Sequence, residues 1–175
     1  MITLPDWIEV PIARTHNRAE FDCGDAELNR YLQNQARQNH ERGIAKTFVA
    51  ISEQYAQTVL GFYSISPTEI DQQRVAKPAR MGHHALPGYR LGRLAVDMSV
   101  QGQDLGGLLL LAAAKRCLTA ARNVGGAVLV IDAKHDRAAA WYEKFGALRL
   151  EDAPLTLILP LKTAADLLHE FKITW

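Results

Sequence analysis

Apolar and polar residues along the chain follow two periods, and each period predicts one type of element. In the first third, alternating or β-branched runs predict strands, and apolar residues three or four apart predict helices. The predicted elements are a strand over residues 7–12, a helix N-capped by Asp25, a polar second helix ended by Gly43, and a hairpin of residues 47–52 and 58–66. Residues 67–87, which contain prolines and a glycine, predict an irregular segment with room for one helical turn.

The second half alternates strands and helices. A strand over residues 90–96 precedes a helix over residues 105–123, whose buried side is predicted to carry Leu105, Leu108, Leu109, Ala112 and Ala113. The apolar run 127–132 is typical of a strand buried on both faces. The remaining predictions are a helix opened by Asp136 and followed by Gly146, a hairpin of residues 148–150 and 155–159, and a helix over residues 162–171. This order predicts a mixed α/β sheet.

Composition narrows the class of protein. The chain has 175 residues, which predicts one domain over residues 1–175, and its 48% hydrophobic and 22% charged residues are typical of a globular protein. No apolar run approaches the roughly 20 residues of a membrane span, and the N-terminus does not resemble a signal peptide, so we expect a cytoplasmic protein with no membrane contact. Cys23 and Cys117 lack a nearby second cysteine, so we expect reduced thiols and no metal site.

The net charge of +1 is unevenly distributed. Residues 72–96 contain no Asp or Glu, and they include Lys77, Arg80, Arg90 and Arg93. Two interpretations stay open: a solvated surface loop, or part of a basic face that binds a polyanion such as a nucleic acid.

Residues 101–107, here called the glycine turn, connect the predicted strand 90–96 to the predicted helix 105–123. They contain Gly102, Gly106 and Gly107. A strand, a glycine-bearing turn and a helix in this order aim backbone N–H groups and a helix N-terminus at a phosphate, although a plain strand-to-helix turn is the alternative. A nucleoside triphosphate loop is excluded because no Lys-Ser or Lys-Thr follows the last glycine, and the spacing fits a dinucleotide fingerprint poorly.

The glycine turn resembles the motif Gln/Arg-x-x-Gly-x-Gly/Ala of the GNAT superfamily, the acetyl-coenzyme A-dependent N-acetyltransferases. Gln101 and Gly106 match its first and last positions, and Asp104 stands at the middle glycine. Residues 135–147 resemble the superfamily's Asn-x-x-Ala-x-x-Phe-Tyr-x-x-x-Gly-Phe, with His135 in place of Asn, Trp141 in place of the first Phe and Ala147 in place of the final Phe. The resemblance implies an α/β (α+β) fold with a GNAT-like mixed, mostly antiparallel central sheet flanked by helices.

A narrower resemblance is carried by residues 21–28, 61–64 and 91–97. These segments are similar to the GNAT toxins of bacterial toxin–antitoxin pairs. The resemblance implies an enzyme that uses acetyl-coenzyme A to acetylate the α-amino group of aminoacyl-tRNA and so blocks translation. It also implies a ribbon-helix-helix antitoxin as partner and a homodimer.

The resemblance further implies a division of roles. Backbone groups of the strand end hold the acetyl and pantetheine arm, N–H groups of the glycine turn hold the pyrophosphate, and Tyr142 protonates the departing thiolate. The implied coenzyme-binding residues are Leu94, Ala95, Val96, Gln101, Gly102, Gln103, Asp104, Leu105, Gly106, Gly107 and His135. The implied substrate and tRNA contacts are Arg90, Arg93, Arg80, Lys77 and Tyr63. Arg93 could instead pair with an acid, and Tyr63 could instead pack in the sheet.

Among the residues that differ from the superfamily motif, Asp104 has the clearest physical consequence. A carboxylate beside a pyrophosphate is repelled by it, so we expect weakened coenzyme binding, although Asp at a helix start favours the helix. Two other functions stay open: an N-acetyltransferase for a protein or small-molecule amine, and a catalytically weakened coenzyme-binding domain. No general base is named, because an α-amine with a pKa of roughly 7.7–8.0 is already partly neutral in the cell.

Overall fold

The protein is described by a computed structural model that covers residues 3–75, 77, 80, 82 and 84–175. The chain folds into two compact units. Met1–Ser66 and Arg93–Leu110 form the first unit, and Pro67–Gly92 and Leu111–Trp175 form the second. The single domain expected from the sequence stays a prediction.

The strands form one seven-stranded sheet in the order β1-β2-β3-β4-β5-β7-β6. Their bounds are β1 Trp7–Pro11, β2 Lys46–Ser52, β3 Val59–Ile70, β4 Leu86–Val96, β5 Val128–Asp132, β6 Leu148–Arg149 and β7 Thr156–Pro160. Strand β4 pairs with β5 in parallel, and the pairs β1–β2, β2–β3, β5–β7 and β6–β7 are antiparallel. The mixed, mostly antiparallel sheet is therefore confirmed.

Five α-helices accompany the strands in the described part of the chain. They are α1 Ala26–Asn34, α2 Ala36–Arg42, α3 Leu105–Val124, α4 Asp136–Glu143 and α5 Leu161–Glu170. The predicted helix signals are confirmed: the Asp25 carboxylate accepts from the N–H groups of Glu27 and Leu28, and Gly43 ends α2 in the left-handed conformation. No helix among the described residues combines the length and apolarity that crossing a bilayer requires.

The core of the first unit holds α3 against the strands. Aromatic and aliphatic side chains including Phe21, Leu32 and Phe62 form a buried cluster. A Cβ on Gly61 would lie 2.8 Å from Leu109 Cδ1 and 3.0 Å from the Ala95 carbonyl oxygen. Only a glycine in β3 therefore lets the first turns of α3 pack this closely.

The second unit has its own apolar core, which includes Ile70, Leu86, Val130 and Ile158. Strand β5 is buried along Val128–Ile131, as predicted for a strand covered on both faces. A Cβ on Gly88 would lie 2.2 Å from the Val128 carbonyl oxygen, so glycine is required where β4 meets β5.

Three sequence predictions are wrong in detail. Strand β4 begins at Leu86 rather than at residue 90. The prediction failed because Pro87 and Gly88, residue types that usually interrupt strands, lie inside this one. Strand β3 continues past Pro67 to Ile70. Leu108 is 40% exposed, because the buried side of α3 in the first unit is formed by Leu105, Leu109 and Leu110.

Candidate functional site

The glycine turn lies between the end of β4 and the start of α3, in the first unit. A 3-10 turn at Met98–Val100 follows β4, and Gly102 has a φ of 75°, which glycine adopts without strain. The first intrahelical bond of α3 runs from Leu108 N to the Asp104 carbonyl at 3.1 Å. The N–H groups of Leu105, Gly106 and Gly107 precede this bond and have no acceptor within the helix. They can donate to an anion, as the sequence predicted for a pyrophosphate.

Two anchors fix the direction of these N–H groups. Leu105 is buried at the first position of α3, and Leu109 contacts the backbone at Gly61 one turn later. Gly106 and Gly107 lie between these anchors and are half-buried without a side chain. The start of α3 is therefore held firmly while its backbone stays approachable.

Asp104 occupies the residue before α3 in the left-handed conformation, with a φ of 65°. Glycine adopts this conformation freely, and Asp is one of the few other residues that tolerate it. The structure thus gives the reason for a glycine at this position of the motif. The Asp104 side chain is exposed, and its backbone carbonyl still accepts the first helical bond.

Gln101 fixes the start of the glycine turn through its side chain. Its Nε2 donates to the carbonyl oxygen of Val96 at 2.9 Å and to that of Cys23 at 3.0 Å. One amide therefore joins the end of β4, the glycine turn and the turn of residues 21–25. Gln103 accepts a hydrogen bond from the N–H of Leu4 through its Oε1.

The turn of residues 21–25 is hydrogen-bonded to the segment that leads into the glycine turn. Asp22 N donates to Asp97 Oδ2 at 3.0 Å, and Met98 N donates to the Asp22 carbonyl at 2.8 Å. Asn29 of α1 holds this turn in place: its Nδ2 donates to Asp22 Oδ1 at 2.9 Å, and its Oδ1 accepts from Cys23 N at 3.0 Å. Burial raises the pKa of the Cys23 thiol, which keeps it protonated and able to donate to Asn29 Oδ1 at 3.1 Å.

The end of β4 places the predicted pantetheine-binding residues next to the glycine turn. The parallel ladder with β5 covers Gly88 to Leu91, and β4 continues to Val96. Ala95 is buried in the core of the first unit, whereas Leu94 and Val96 are half-buried. A strand end of this kind offers backbone N–H and C=O groups to an extended ligand.

Tyr142 lies in α4, in the second unit. Its side chain is 6% exposed, and its ring packs edge-to-face against Trp141 at 4.9 Å between centroids. Burial raises the pKa of the Tyr142 phenol, and the carboxylate of Asp132 raises it further. The phenol therefore carries its proton throughout the physiological range of pH.

His135 is the N-cap of α4. Its Nδ1 accepts a hydrogen bond from Ala138 N at 3.1 Å, the bond that a capping Asn would make. The imidazole thus substitutes for the Asn of the superfamily motif in starting the helix. Its contact with the coenzyme stays a prediction.

The predicted tRNA contacts have different surroundings. The Arg93 guanidinium stacks on the ring of Tyr31, 3.7 Å from its centroid, in the first unit. In the second unit, Arg90 Nη1 pairs with both carboxylate oxygens of Asp132 at 2.7 and 2.8 Å. Arg80 donates to the carbonyl oxygens of nearby loop residues, and Lys77 is exposed. The contact of these four residues with tRNA stays a prediction.

Tyr63 is fully buried in the first unit. Its hydroxyl donates to Glu9 Oε1 at 2.9 Å, and its ring packs against Phe48. Tyr63 therefore packs in the sheet, and its contact with the substrate stays a prediction.

Comparison with known proteins identifies the family. No family model matches the chain. The tRNA-acetylating toxin of Mycobacterium tuberculosis is 33% identical over 153 residues, which cover 86% of this chain and 89% of the relative. This chain belongs to the tRNA-acetylating toxin family.

Solved structures of toxins agree with the family. A tyrosine-to-phenylalanine mutant of KacT matches with a TM-score of 0.85 and 27% identity, covering 92% of this chain and 98% of that one. The structure of AtaTR bound with AcCoA matches with a TM-score of 0.81 and 26% identity, covering 93% and 98%. The GNAT-type acetyltransferase fold expected from the sequence is thereby confirmed.

Sequence reasoning missed several residues that hold the family's motifs in place. Asp97 was missed as a support of the glycine turn because its partner Asp22 lies 75 residues away, and Asn29 was missed because it acts on that turn only through Asp22 and Cys23. Arg149, which contacts α4, was also missed. The available signal was the pair Asp136 and Glu143, seven residues apart and so on one helix face.

Proposed function

We propose that the protein transfers an acetyl group from acetyl-coenzyme A to the α-amino group of aminoacyl-tRNA and thereby blocks translation. The observation that carries this proposal is the 33% identity with a tRNA-acetylating toxin over 86% of the chain. The arrangement of strand, glycine turn and helix N-terminus supports it independently, because its donors suit a pyrophosphate.

Coenzyme binding is assigned to the first unit. The residues from Gln101 to Gly107 supply N–H donors and the positive end of the α3 dipole to the pyrophosphate. The backbone of Leu94 to Val96 supplies strand-like hydrogen bonds to the pantetheine arm. The bound coenzyme contributes the acetyl thioester, whose carbonyl carbon the amine attacks.

Tyr142 is assigned as the general acid. Its buried, protonated phenol can supply a proton to the sulfur as the carbon–sulfur bond breaks. The attacking amine requires little help: an α-amine has a pKa of roughly 7.7–8.0, and esterification of the neighbouring carboxyl lowers it. As the amide forms, the attacking neutral amine loses one proton, which water can carry to the Tyr142 phenoxide to restore the acid, so no side chain is assigned as base.

Substrate recognition is assigned to basic side chains. Arg93, Lys77, Arg80 and Arg90 are candidates for phosphate contacts, which give affinity that falls as salt increases. The Arg93 guanidinium lies over the ring of Tyr31, which restricts its position before tRNA binds. Arg90 would have to share its charge with Asp132, so it is the weaker phosphate ligand of these two.

The family context supports two partners. An antitoxin is expected, since a solved structure of the toxin AtaT shows it bound to the C-terminus of the antitoxin AtaR, and we assign it the ribbon-helix-helix type. We also assign a homodimer. A charged-tRNA substrate places the reaction in the cytoplasm.

The proposal is tested by acetyl transfer from labelled acetyl-coenzyme A into pools of charged and deacylated tRNA. Label is expected only in charged tRNA, and Tyr142→Phe should lose most of it. Label that appears in protein or in a small amine, with charged tRNA unlabelled, would favour the alternative acceptor. Absence of coenzyme binding in calorimetry would favour the weakened coenzyme-binding domain, with Asp104 as its cause.

A further inference from the structure

The role proposed for Tyr142 requires an accurate side-chain position, and helix α4 is too short to provide it alone. It has eight residues, and Tyr142 is the seventh. Helices this short are unstable alone, and their last turn frays most readily. A side chain placed there is held accurately only if other contacts fix the end of the helix.

Arg149 contacts both ends of α4 with one guanidinium group. Its Nε donates to Glu143 Oε1 at 2.6 Å, at the last residue of the helix. Its Nη1 donates to Asp136 Oδ1 at 2.5 Å, at the first residue, and its Nη2 donates to the Asp136 carbonyl at 3.4 Å. Asp136 and Glu143 are seven residues apart, so they lie on one face, and the planar guanidinium bridges them.

Arg149 is itself anchored on the sheet. It lies in β6 opposite Leu157 of β7, which is fully buried. The Arg149 side chain is only 24% exposed, whereas the carboxylates of Asp136 and Glu143 are 84% and 45% exposed. The arginine is therefore the fixed partner, and the helix is the element that it holds.

The ordinary interpretation of such a cluster is a surface ion pair of little consequence. Single exposed ion pairs contribute little to stability because water competes and side-chain freedom is lost. The Arg149 guanidinium, however, binds the first and last residues of one short helix, so it restricts the position of that helix in addition to any effect on stability. Displacement of a catalytic group by about 1 Å can reduce a rate about a hundredfold, so position matters more here than stability.

We propose that Arg149 is a positioning residue for Tyr142, which holds the last turn of α4 where the phenol can protonate the leaving thiolate. The inference rests on the proposed function. Lysine cannot replace this arginine, because an ammonium group lacks the fork that reaches both carboxylates.

The test measures kcat and KM of acetyl transfer to charged tRNA for Arg149→Ala and Arg149→Lys. Both should lower kcat at least about tenfold, with KM for both substrates nearly unchanged. Arg122→Ala is the matched control, because that arginine bonds to the carbonyl and ring of Trp175 in the same unit, and it should retain wild-type kcat. A raised KM for tRNA at constant kcat would overturn the inference, since Arg149 would then be a phosphate contact.

A double-mutant cycle separates positioning from a general structural role. If Arg149 acts through Tyr142, Arg149→Ala should have no further effect on kcat in the Tyr142→Phe background. Independent, additive losses would overturn the inference. Full activity of Tyr142→Phe itself would instead overturn the proposed acid and this inference with it, whereas a defective Tyr142→Phe beside a fully active Arg149→Ala would overturn the inference alone.

Milder substitutions keep the test decisive if Arg149→Ala fails to fold. Glu143→Gln and Asp136→Asn each weaken one arm of the fork and leave the arginine in place. Glu143→Gln should lower kcat more, because it loosens the turn that carries Tyr142. Equal and full activity in both variants would overturn the inference.

Discussion

In the proposed function, the glycine turn of the first unit offers backbone groups to the coenzyme, whereas α4 of the second unit offers one side chain, that of Tyr142. The glycine turn is held by amide and backbone hydrogen bonds, from Gln101 to Val96 and Cys23 and from Asp22 to Asp97. Helix α4 is held by a cap at His135 and by two ion pairs to Arg149. The difference indicates what each can tolerate: the glycine turn requires the right conformation, and α4 requires the right position.

The comparison predicts that binding and chemistry separate by unit. Tyr142→Phe removes the phenol proton and nothing from the glycine turn, so kcat should fall about 10²–10⁴-fold while the acetyl-coenzyme A Kd stays unchanged. Single-turnover kinetics and calorimetry measure the two quantities. A comparable loss in coenzyme affinity would contradict the separation and would make Tyr142 a binding residue.

Local patterns predicted much of the fold. The Asp25 cap, the Gly43 helix end and the buried β5 follow from signals within a few residues, and all three are confirmed. The start of β4 could not be predicted, because Gly88 is required by the Val128 carbonyl, a contact 40 residues away along the chain. The rule that proline and glycine interrupt strands considers only the residue type and not such contacts.

The candidate site shows the same limit. The order of strand, glycine turn and helix is local, so residues 101–107 could be singled out from sequence. Two of the hydrogen bonds that hold this turn join residues 75 and 78 positions apart, and no local pattern indicates them. The burial of Tyr63 could not be predicted either, because an aromatic residue beside a motif is equally compatible with packing in the sheet and with a substrate contact, and that contact stays a prediction.

A second prediction tests the support of the glycine turn. Gln101→Ala removes both amide bonds, to Val96 and to Cys23, so the acetyl-coenzyme A Kd should rise about tenfold while kcat at saturation changes little. Gln38→Ala, an exposed glutamine on α2 in the same unit, is the matched control and should bind normally. Unchanged coenzyme affinity in Gln101→Ala would show that the glycine turn holds its shape without this amide.

A third prediction distinguishes capping from coenzyme contact at His135. His135→Asn preserves an acceptor for Ala138 N and should keep wild-type stability, whereas His135→Ala should lose about 1 kcal/mol of the free energy of unfolding. Urea titration measures this difference. If both variants bind acetyl-coenzyme A more weakly, the imidazole contacts the coenzyme; if neither does, its role is the cap alone.

The smallest effect is expected at Asp104, where charge and conformation can be separated. Asp104→Asn removes the carboxylate and keeps a residue that tolerates a φ of 65°, while Asp104→Gly removes the carboxylate and the strain together. Calorimetry should show acetyl-coenzyme A binding about two- to fivefold tighter in both variants, because an exposed charge near a helix N-terminus contributes about 0.3–1 kcal/mol.

The two Asp104 variants should differ little from each other in affinity, since the gain comes from charge. Their free energies of unfolding should lie within about 1 kcal/mol of the wild type, because relief of the left-handed conformation by glycine is offset by its greater freedom in the unfolded chain. Added salt provides the deciding comparison. A gain due to charge should shrink as ionic strength rises, whereas a gain seen only in Asp104→Gly and independent of salt would assign the effect to the backbone. In that event, backbone conformation rather than charge would limit acetyl-coenzyme A affinity, even at Asp104, the one charged residue of the glycine turn.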